Sequence, residues 1–145
     1  MLRFAVAAVS FLAVAGPAIA APSGWQAASD HHKVCDAAVP PNWTKGAYGL
    51  GMKAPQNHAT LAMSSTEADL ATAKQVFGGS FHVTQTLEDS AGRYWVAYDV
   101  AGRRKSTGWY VAVVSGPTLC AMQLTFDAGL PDADARAIVL SLHKR

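Results

Sequence analysis

The sequence has little charge and few of the residues from which enzyme active sites are built. Only 15% of its 145 residues are charged, and Glu67 and Glu88 are its only glutamates. It contains no GxSxG nucleophile elbow, no zinc-protease helix and no glycine loop that could hold a phosphate. We therefore expect a protein that is not an enzyme and that needs no cofactor or resident metal.

Positive charge is also sparse, with a formal net charge of +2. The cationic side chains are scattered except for Arg103, Arg104 and Lys105, which fall in a predicted loop over residues 101–106. Without a basic face, nucleic acid is not an expected partner. The three-residue cluster is interpreted as a solvated hairpin tip that blocks edge pairing, or as a contact for an anionic ligand or lipid headgroup.

Cysteine is limited to Cys35 and Cys120, and neither lies in a CxxC motif. The pattern favours a disulfide bond over a redox or metal-binding thiol pair. Because the bond would close a long loop, it could contribute up to ~4 kcal/mol to stability.

The sequence has one long apolar run, at residues 4–15, which is too short to span a bilayer. Arg3 precedes this run and the small-residue site Ala18-Ile19-Ala20 follows it, as in a cleaved secretory signal. We expect a signal peptide over residues 1–20, a flexible lead-in over 21–32 and a single domain over 33–145. The mature protein should be periplasmic or secreted and should not span a membrane.

A two-residue apolar period predicts three strands over residues 93–100, 107–114 and 118–126. A turn at Gly116 and Pro117 would close the second hairpin and place Val113 opposite Cys120. The first hairpin is predicted to place Tyr98 beside Trp109. The opposite face would then carry Trp95 and Tyr110, either beneath a helix or as a partner-binding patch.

Four further segments are predicted to form short strands, over residues 33–39, 48–52, 59–63 and 81–84. Ser64 and Glu67 have the spacing of a capping box, which predicts a helix that ends before Gly78 and Gly79. A second helix is predicted over residues 131–143, with its apolar stripe on Ala135, Ile138, Val139 and Leu142. The expected class is α+β, with an antiparallel sheet of about six strands, two helices and one disulfide.

Five side chains are candidate ligands for copper in an exported protein, because imidazole and thioether groups suit that metal: His31, His32, His58, Met52 and Met63. Methionines on short strands more often fill a core. Asn42 matches a glycosylation sequon, and Trp43 beside it is expected to pack at one end of the core.

Two stretches resemble the PsbP-like and DcrB-like domains. Residues 39–43, Val-Pro-Pro-Asn-Trp, resemble the P-x-x-W strand exit, and residues 137–142 resemble the I-x-x-S-[LF] end of the final helix. The resemblance implies an antiparallel sheet covered by helices, in non-enzymatic proteins that bind or assist larger complexes.

Two other fragments, residues 90–94 and 43–46, resemble membrane-bound and periplasmic lysozyme inhibitors, whose loop serine and lysine enter an enzyme cleft. Ser90 and Lys45 would take those roles, but here the fragments occur in reverse order. The expected function is a small binding or accessory domain of the bacterial envelope with a protein or lipid partner. A copper-binding protein and a hydrolase inhibitor are the alternatives.

Overall fold

The structure is a computed structural model that describes residues 20–102 and 105–145. The predicted signal peptide, apart from Ala20, and the loop residues Arg103 and Arg104 lie outside the described residues. The predicted α+β class with antiparallel pairing, two helices and a disulfide is confirmed. The strands of the described residues are divided between a sheet of seven and a sheet of three, in place of the single sheet of about six that was expected.

The described part of the chain forms ten strands and two α-helices in the following order: β1 (Gln26–Ser29), β2 (Cys35–Val39), β3 (Thr44–Lys45), β4 (Met52–Lys53), β5 (Ala59–Glu67), α1 (Leu70–Ser80), β6 (Val83–Asp89), β7 (Arg93–Tyr98), β8 (Thr107–Ser115), β9 (Thr118–Phe126), α2 (Asp132–Leu140) and β10 (His143–Lys144). A three-stranded sheet has the order β1-β2-β10, and a seven-stranded sheet has the order β3-β4-β5-β9-β8-β7-β6. All pairings in both sheets are antiparallel.

The main core lies between the inner face of the large sheet and a layer made of the small sheet and α2. The predicted apolar stripe is buried, but only Ala135, Ile138 and Val139 of it lie on α2. The predicted helix end at residue 143 is wrong: α2 ends at Leu140, Leu142 is buried beyond it, and His143 begins β10. The predicted disulfide between Cys35 and Cys120 is also confirmed, and it joins β2 to β9 across this core. The two layers are therefore linked covalently as well as by apolar contact.

The second hairpin has the predicted register. Ser115 pairs with Thr118, and Val113 pairs with Cys120. Gly116 adopts a φ of 58°, which suits the first central position of a two-residue hairpin turn. A two-residue turn is compatible with only one register of the two strands, so this register could be predicted from the sequence.

The predicted register of the first hairpin is wrong by one residue. Tyr98 pairs with Gly108 and Ala97 with Trp109, so each side chain of β7 points to the face of the sheet opposite to the predicted one. Trp95 consequently faces the main core, whereas Tyr94, Val96 and Tyr98 face α1. The cause is steric: a Cβ at Gly108 would lie 2.8 Å from Cζ of Tyr98, so only glycine leaves room for that ring.

Local signals at the start of the chain and around the β3–β4 hairpin were also misleading. The lead-in prediction is wrong for Gln26–Ser29, which pairs with β2 as β1. The strand predicted over 48–52 is instead a 3-10 turn, Ala47–Gly49, followed by β4. Tyr48 has a φ of 57° inside this turn, a conformation that a strand does not use.

The predicted capping box is wrong because residues 64–67 continue β5. This segment pairs with β9 as far as Glu67 opposite Thr118. Asp69 is the actual cap of α1, and its carboxylate accepts a hydrogen bond from the backbone N–H of Thr72 at 2.8 Å. That bond lowers the pKa of Asp69. The helix then runs through Gly78 and Gly79 to Ser80.

Gly108→Ala should lower the free energy of unfolding by about 1–3 kcal/mol, because the added methyl overlaps Val100 and Tyr98. Gly78→Ala is the matched control: its Cβ would meet nothing within 4 Å, and alanine favours a helix, so a gain of up to ~1 kcal/mol is expected. Urea denaturation measures both variants. Equal stability of the two would contradict the register described here.

Candidate functional site

Helix α1 covers the outer face of the large sheet over β7 and β8. Ala73 and Phe77 are its buried side chains. The Phe77 ring stacks on Tyr110 with a centroid distance of 4.0 Å and meets Tyr98 edge-on at 5.1 Å. This aromatic contact holds the helix over β7 and β8. Because the seven-stranded sheet is wider than one helix, the part of its outer face over β5 and β9 stays uncovered.

The uncovered half of the outer face forms a groove of about 540 Å³ between α1 and the strands β5 and β9. We call it the α1 groove. Its floor consists of small or uncharged side chains of three strands: Ala62, Ser64, Thr66, Tyr110, Leu119, Ala121 and Gln123. The helix wall includes Val76, which is 65% exposed, and Phe81 beyond its end is 40% exposed. Val76 and Phe81, whose ring also stacks on Phe77, thus add exposed apolar surface to the border of the groove.

A second depression, of about 860 Å³, borders the same strand β5 near the β3–β4 hairpin. We call it the hairpin depression. Leu50, Met52, Leu61 and Met63 contribute apolar side chains to its lining, and Lys53 lies at its border. Leu50 is 58% exposed there.

Asp30 holds the loop between β1 and β2 against β5, at the edge of the hairpin depression. Its buried carboxylate accepts hydrogen bonds from the backbone N–H groups of His32, Val34 and Cys35, and from Oγ of Ser65 at 2.6 Å. Burial alone would raise the pKa of this carboxyl, but the hydrogen bonds together outweigh burial and lower the pKa to about 2. Asp30 is therefore a structural anion that positions this end of the core.

Of the predicted partner-surface residues, the structure describes Trp95, Tyr110 and Lys105, and Trp95 and Tyr110 lie on opposite faces of the large sheet. Trp95 is 5% exposed and packs edge-on against Trp109 on the inner face, with the Arg136 guanidinium 5.4 Å from its ring centroid. Tyr110 is 9% exposed on the outer face, at the floor of the α1 groove. Lys105 is exposed in the loop after β7. The prediction that Trp95 and Tyr110 share a face is wrong, for the reason given by the β7 register.

The five candidate copper ligands do not form one cluster. The ring of His32 lies beside that of His31, with a centroid distance of 5.2 Å. His31, Met52 and Met63 line the hairpin depression. The Nδ1 atom of His58 lies 2.8 Å from Asp127, and its Nε2 atom lies 3.1 Å from Gln56. Within the described residues, no group of three or more His, Cys, Asp and Glu side chains is arranged to hold a metal ion.

The two residues carried over from the lysozyme-inhibitor resemblance lie far apart in the sheet. Lys45 is in β3 at one edge, and Ser90 follows β6, the strand at the other edge. A single protruding loop that presents both side chains does not form.

Sequence reasoning missed the α1 groove. Val76 is an apolar residue of α1, and nothing in the sequence indicates that its side chain is largely exposed. The available signal was that the alternate residues Ala62, Ser64 and Thr66 of β5 are small, so that this face of the strand cannot fill the space beside a helix.

Comparison with solved structures relates this architecture to a known one. The solution structure of cyanobacterial PsbP (CyanoP) from Synechocystis sp. PCC 6803 matches with a TM-score of 0.52 at 14% identity, over 90% of this chain and 100% of that chain. The chain has a PsbP-like fold. This likeness concerns the fold, and it confirms the resemblance inferred from residues 39–43 and 137–142.

A crystal structure from Bacteroides thetaiotaomicron VPI-5482 matches the PsbP-like chain at a TM-score of 0.44 and 12% identity, over 78% of this chain and 46% of that chain. No family model matches the sequence, and no curated protein matches it. In the described part of the chain, no helix has the length and apolar character required to cross a membrane.

Asp30→Asn should lower the free energy of unfolding by roughly 2 kcal/mol near neutral pH, because the folded-state pKa of Asp30 lies below the ordinary aspartate value of 3.8. A depressed carboxyl pKa stabilises the fold above the unfolded pKa, and this contribution is lost as the pH falls through about 2. The difference between wild type and variant should thus shrink between about pH 4 and pH 2. Urea denaturation at several pH values measures it.

Asp132→Asn is the matched control, since its carboxylate is exposed in the first turn of α2 and pairs with Arg136 in an i,i+4 salt bridge. We expect it to change stability by no more than ~0.5 kcal/mol. A wild-type advantage over Asp30→Asn that persists undiminished at about pH 2 would contradict the role assigned to Asp30.

Proposed function

We propose that the protein is a small exported, non-enzymatic binding domain of the bacterial envelope that holds a partner in the α1 groove. The observation that carries the proposal is the open groove of about 540 Å³ with exposed Val76 and Phe81 on its border. Covering these side chains with a partner would remove apolar surface from water, which is favourable at about 25 cal/mol per Å².

The lining of the groove supports binding rather than catalysis. Among the described residues that border it, Glu67 and Tyr110 are the titratable ones. Burial, and secondarily the neighbouring Tyr94, raises the pKa of Tyr110. Its phenol therefore stays neutral near physiological pH, where it offers an aromatic surface and a hydrogen-bonding hydroxyl but not a general base.

Export and an accessory role have separate supports. The disulfide fits an oxidising compartment, in agreement with the signal peptide expected from the sequence. The PsbP-like fold supports the accessory role that the sequence resemblance implies.

The two alternatives have weaker support. A copper-binding protein would need its imidazole and thioether groups together, yet His58 pairs with Asp127 and is not among the residues that line the hairpin depression with Met52 and Met63. A hydrolase inhibitor of the resembled kind would need Ser90 and Lys45 together, and they lie at opposite edges of the sheet.

A photo-crosslinking amino acid in place of Val76 should give one discrete protein adduct in cells of the native host, because that position faces the groove. The same amino acid in place of Ala71, which is exposed on α1 outside the groove lining, is the matched control and should give none. Gel analysis with mass spectrometry measures both.

The second part of the test blocks the groove. Ser64→Tyr adds bulk to the groove floor and should reduce adduct yield by about tenfold or more, whereas Thr84→Tyr on the exposed strand β6 should leave it unchanged. Adducts from both crosslinking positions, from neither, or with equal yield after Ser64→Tyr would refute the proposal.

A further inference from the structure

In an antiparallel sheet, alternate residues of a strand direct their backbone N–H and C=O groups to opposite neighbours. This alternation, the pairing phase, determines which backbone groups of β5 bond to β9 and which remain available to another strand. Because Ser115 and Thr118 flank a two-residue turn, they form a hydrogen-bonded pair, and alternate residues of β9 then direct their backbone groups to β8. Leu119, Ala121 and Gln123 direct theirs to β5 instead. Their partners on β5 are Thr66, Ser64 and Ala62.

The other residues of β5 therefore point their N–H and C=O groups away from β9. Two observed bonds agree with this phase: the Ala59 carbonyl accepts from Ala54 on the β4 side, and the His58 carbonyl accepts from Asp127 on the β9 side. In the described part of the chain, β4 is the strand on the outward side, and it pairs only Thr60 and Leu61. Residues 62–67 thus form an edge, which we call the free edge, that is roughly 20 Å long.

The two edges of the large sheet differ in how they resist pairing with another strand. At the opposite edge, β6 has two register shifts and carries Glu88 and Asp89, and Asp89 pairs with Lys74. Bulges and charges of this kind are the usual protection against edge pairing. The free edge of β5 has neither a bulge nor a charge before Glu67.

The free edge also lies between the two depressions. Ala62 and Met63 line both the α1 groove and the hairpin depression. Directly opposed residues of an antiparallel pair place their side chains on the same face. An added strand would therefore direct the side chains opposite Ser64 into the α1 groove and those opposite Met63 towards the hairpin depression.

We infer, on the basis of the proposed function, that the partner is an extended polypeptide segment that adds to β5 as an antiparallel strand along the free edge. Main-chain hydrogen bonds to Met63, Ser65 and Glu67 would hold it, and the two depressions would select its alternate side chains as apolar groups.

Charge sets the direction and character of the segment. Lys45 and Lys53 are the only lysines or arginines between Asp36 and Glu67, a stretch with no acidic residue, and they lie in the hairpin at one end of the free edge. Glu67 and Asp69 lie at the other end. The carboxyl end of an antiparallel segment lies near the lysines, and its amino end lies near the carboxylates. Acidic residues near the carboxyl end of the segment and basic residues near its amino end are therefore favoured.

A second copy of this chain is a poorer occupant. Pairing β5 with itself would bring only Ala62, Ser64 and Thr66 to the α1 groove, and these small side chains fill little of its 540 Å³. Larger apolar side chains are required, which points to a segment of a different protein.

The probe is the tightest heptapeptide selected from a random phage-displayed library on the purified protein, synthesised with a fluorescent label. Two N-methylated forms are compared, one for each set of alternate amides. In an added strand one set faces β5 and the other faces water, so one form should bind about tenfold or more weakly and the other within about twofold of the parent. Fluorescence anisotropy gives the dissociation constants.

Ser65→Pro and Ser65→Ala form the matched protein pair. Both lose the hydroxyl bond to Asp30, but only proline also removes the backbone N–H that faces the free edge. Binding should be about tenfold or more weaker in Ser65→Pro than in Ser65→Ala, at melting temperatures that show both variants folded.

The outcomes separate this inference from the proposed function. Equal effects of the two N-methylated forms, together with loss of binding in Ser64→Tyr, would retain the groove as the site and overturn strand addition. Failure to select any binder of micromolar affinity, or binding indifferent to both Ser64→Tyr and N-methylation, would overturn both. A selected peptide that binds only to a dimer of the protein would overturn the choice of occupant.

Discussion

The pairing phase of β9 is the constraint on which the other features depend. The turn at Gly116 allows Ser115 to pair with Thr118, and every later position of β9 follows from that pair. Cys120 then points into the main core, while Leu119 and Ala121 point towards α1. The same phase decides which backbone groups of β5 are bonded to β9 and which face outwards.

The disulfide links the two layers of the protein, and its position follows from the register of β9. Cys120 on β9 meets Cys35 on β2, so the small sheet is held against the inner face of the large one. Its cysteines are 85 residues apart, so the bond removes much conformational entropy from the unfolded chain and could contribute up to ~4 kcal/mol to stability. Asp30 adds an anchor beside it, since its carboxylate accepts from the Cys35 N–H and from Ser65 on β5. With the inner face fixed in this way, the outer face can remain partly open.

The sequence was informative where a short-range rule determined the geometry. A two-residue turn defined the β8–β9 register, and the helical period identified the buried stripe of α2. It was misleading for β7, because Trp95 and Tyr98 are both apolar and both faces of this strand are buried. The register of β7 depends on the space above Gly108, and the alternation of apolar residues in the sequence does not reveal that space. The capping-box signal at Ser64 was similarly overridden by pairing with β9.

The α1 groove could not be predicted for a related reason. A groove depends on how much of a sheet one helix covers, which follows from the stacking of Phe77 on Tyr110 and not from the pattern of either element alone. The small residues of β5 acquire meaning only once they are known to lie beside that helix, along an edge that β4 leaves unpaired. Amide hydrogen exchange in the free protein, resolved by NMR along β5, tests this account most directly. We expect slow exchange at Ala62, Ser64 and Thr66 and fast exchange at Met63, Ser65 and Glu67; uniform protection of all six amides, or the reverse alternation, would contradict it.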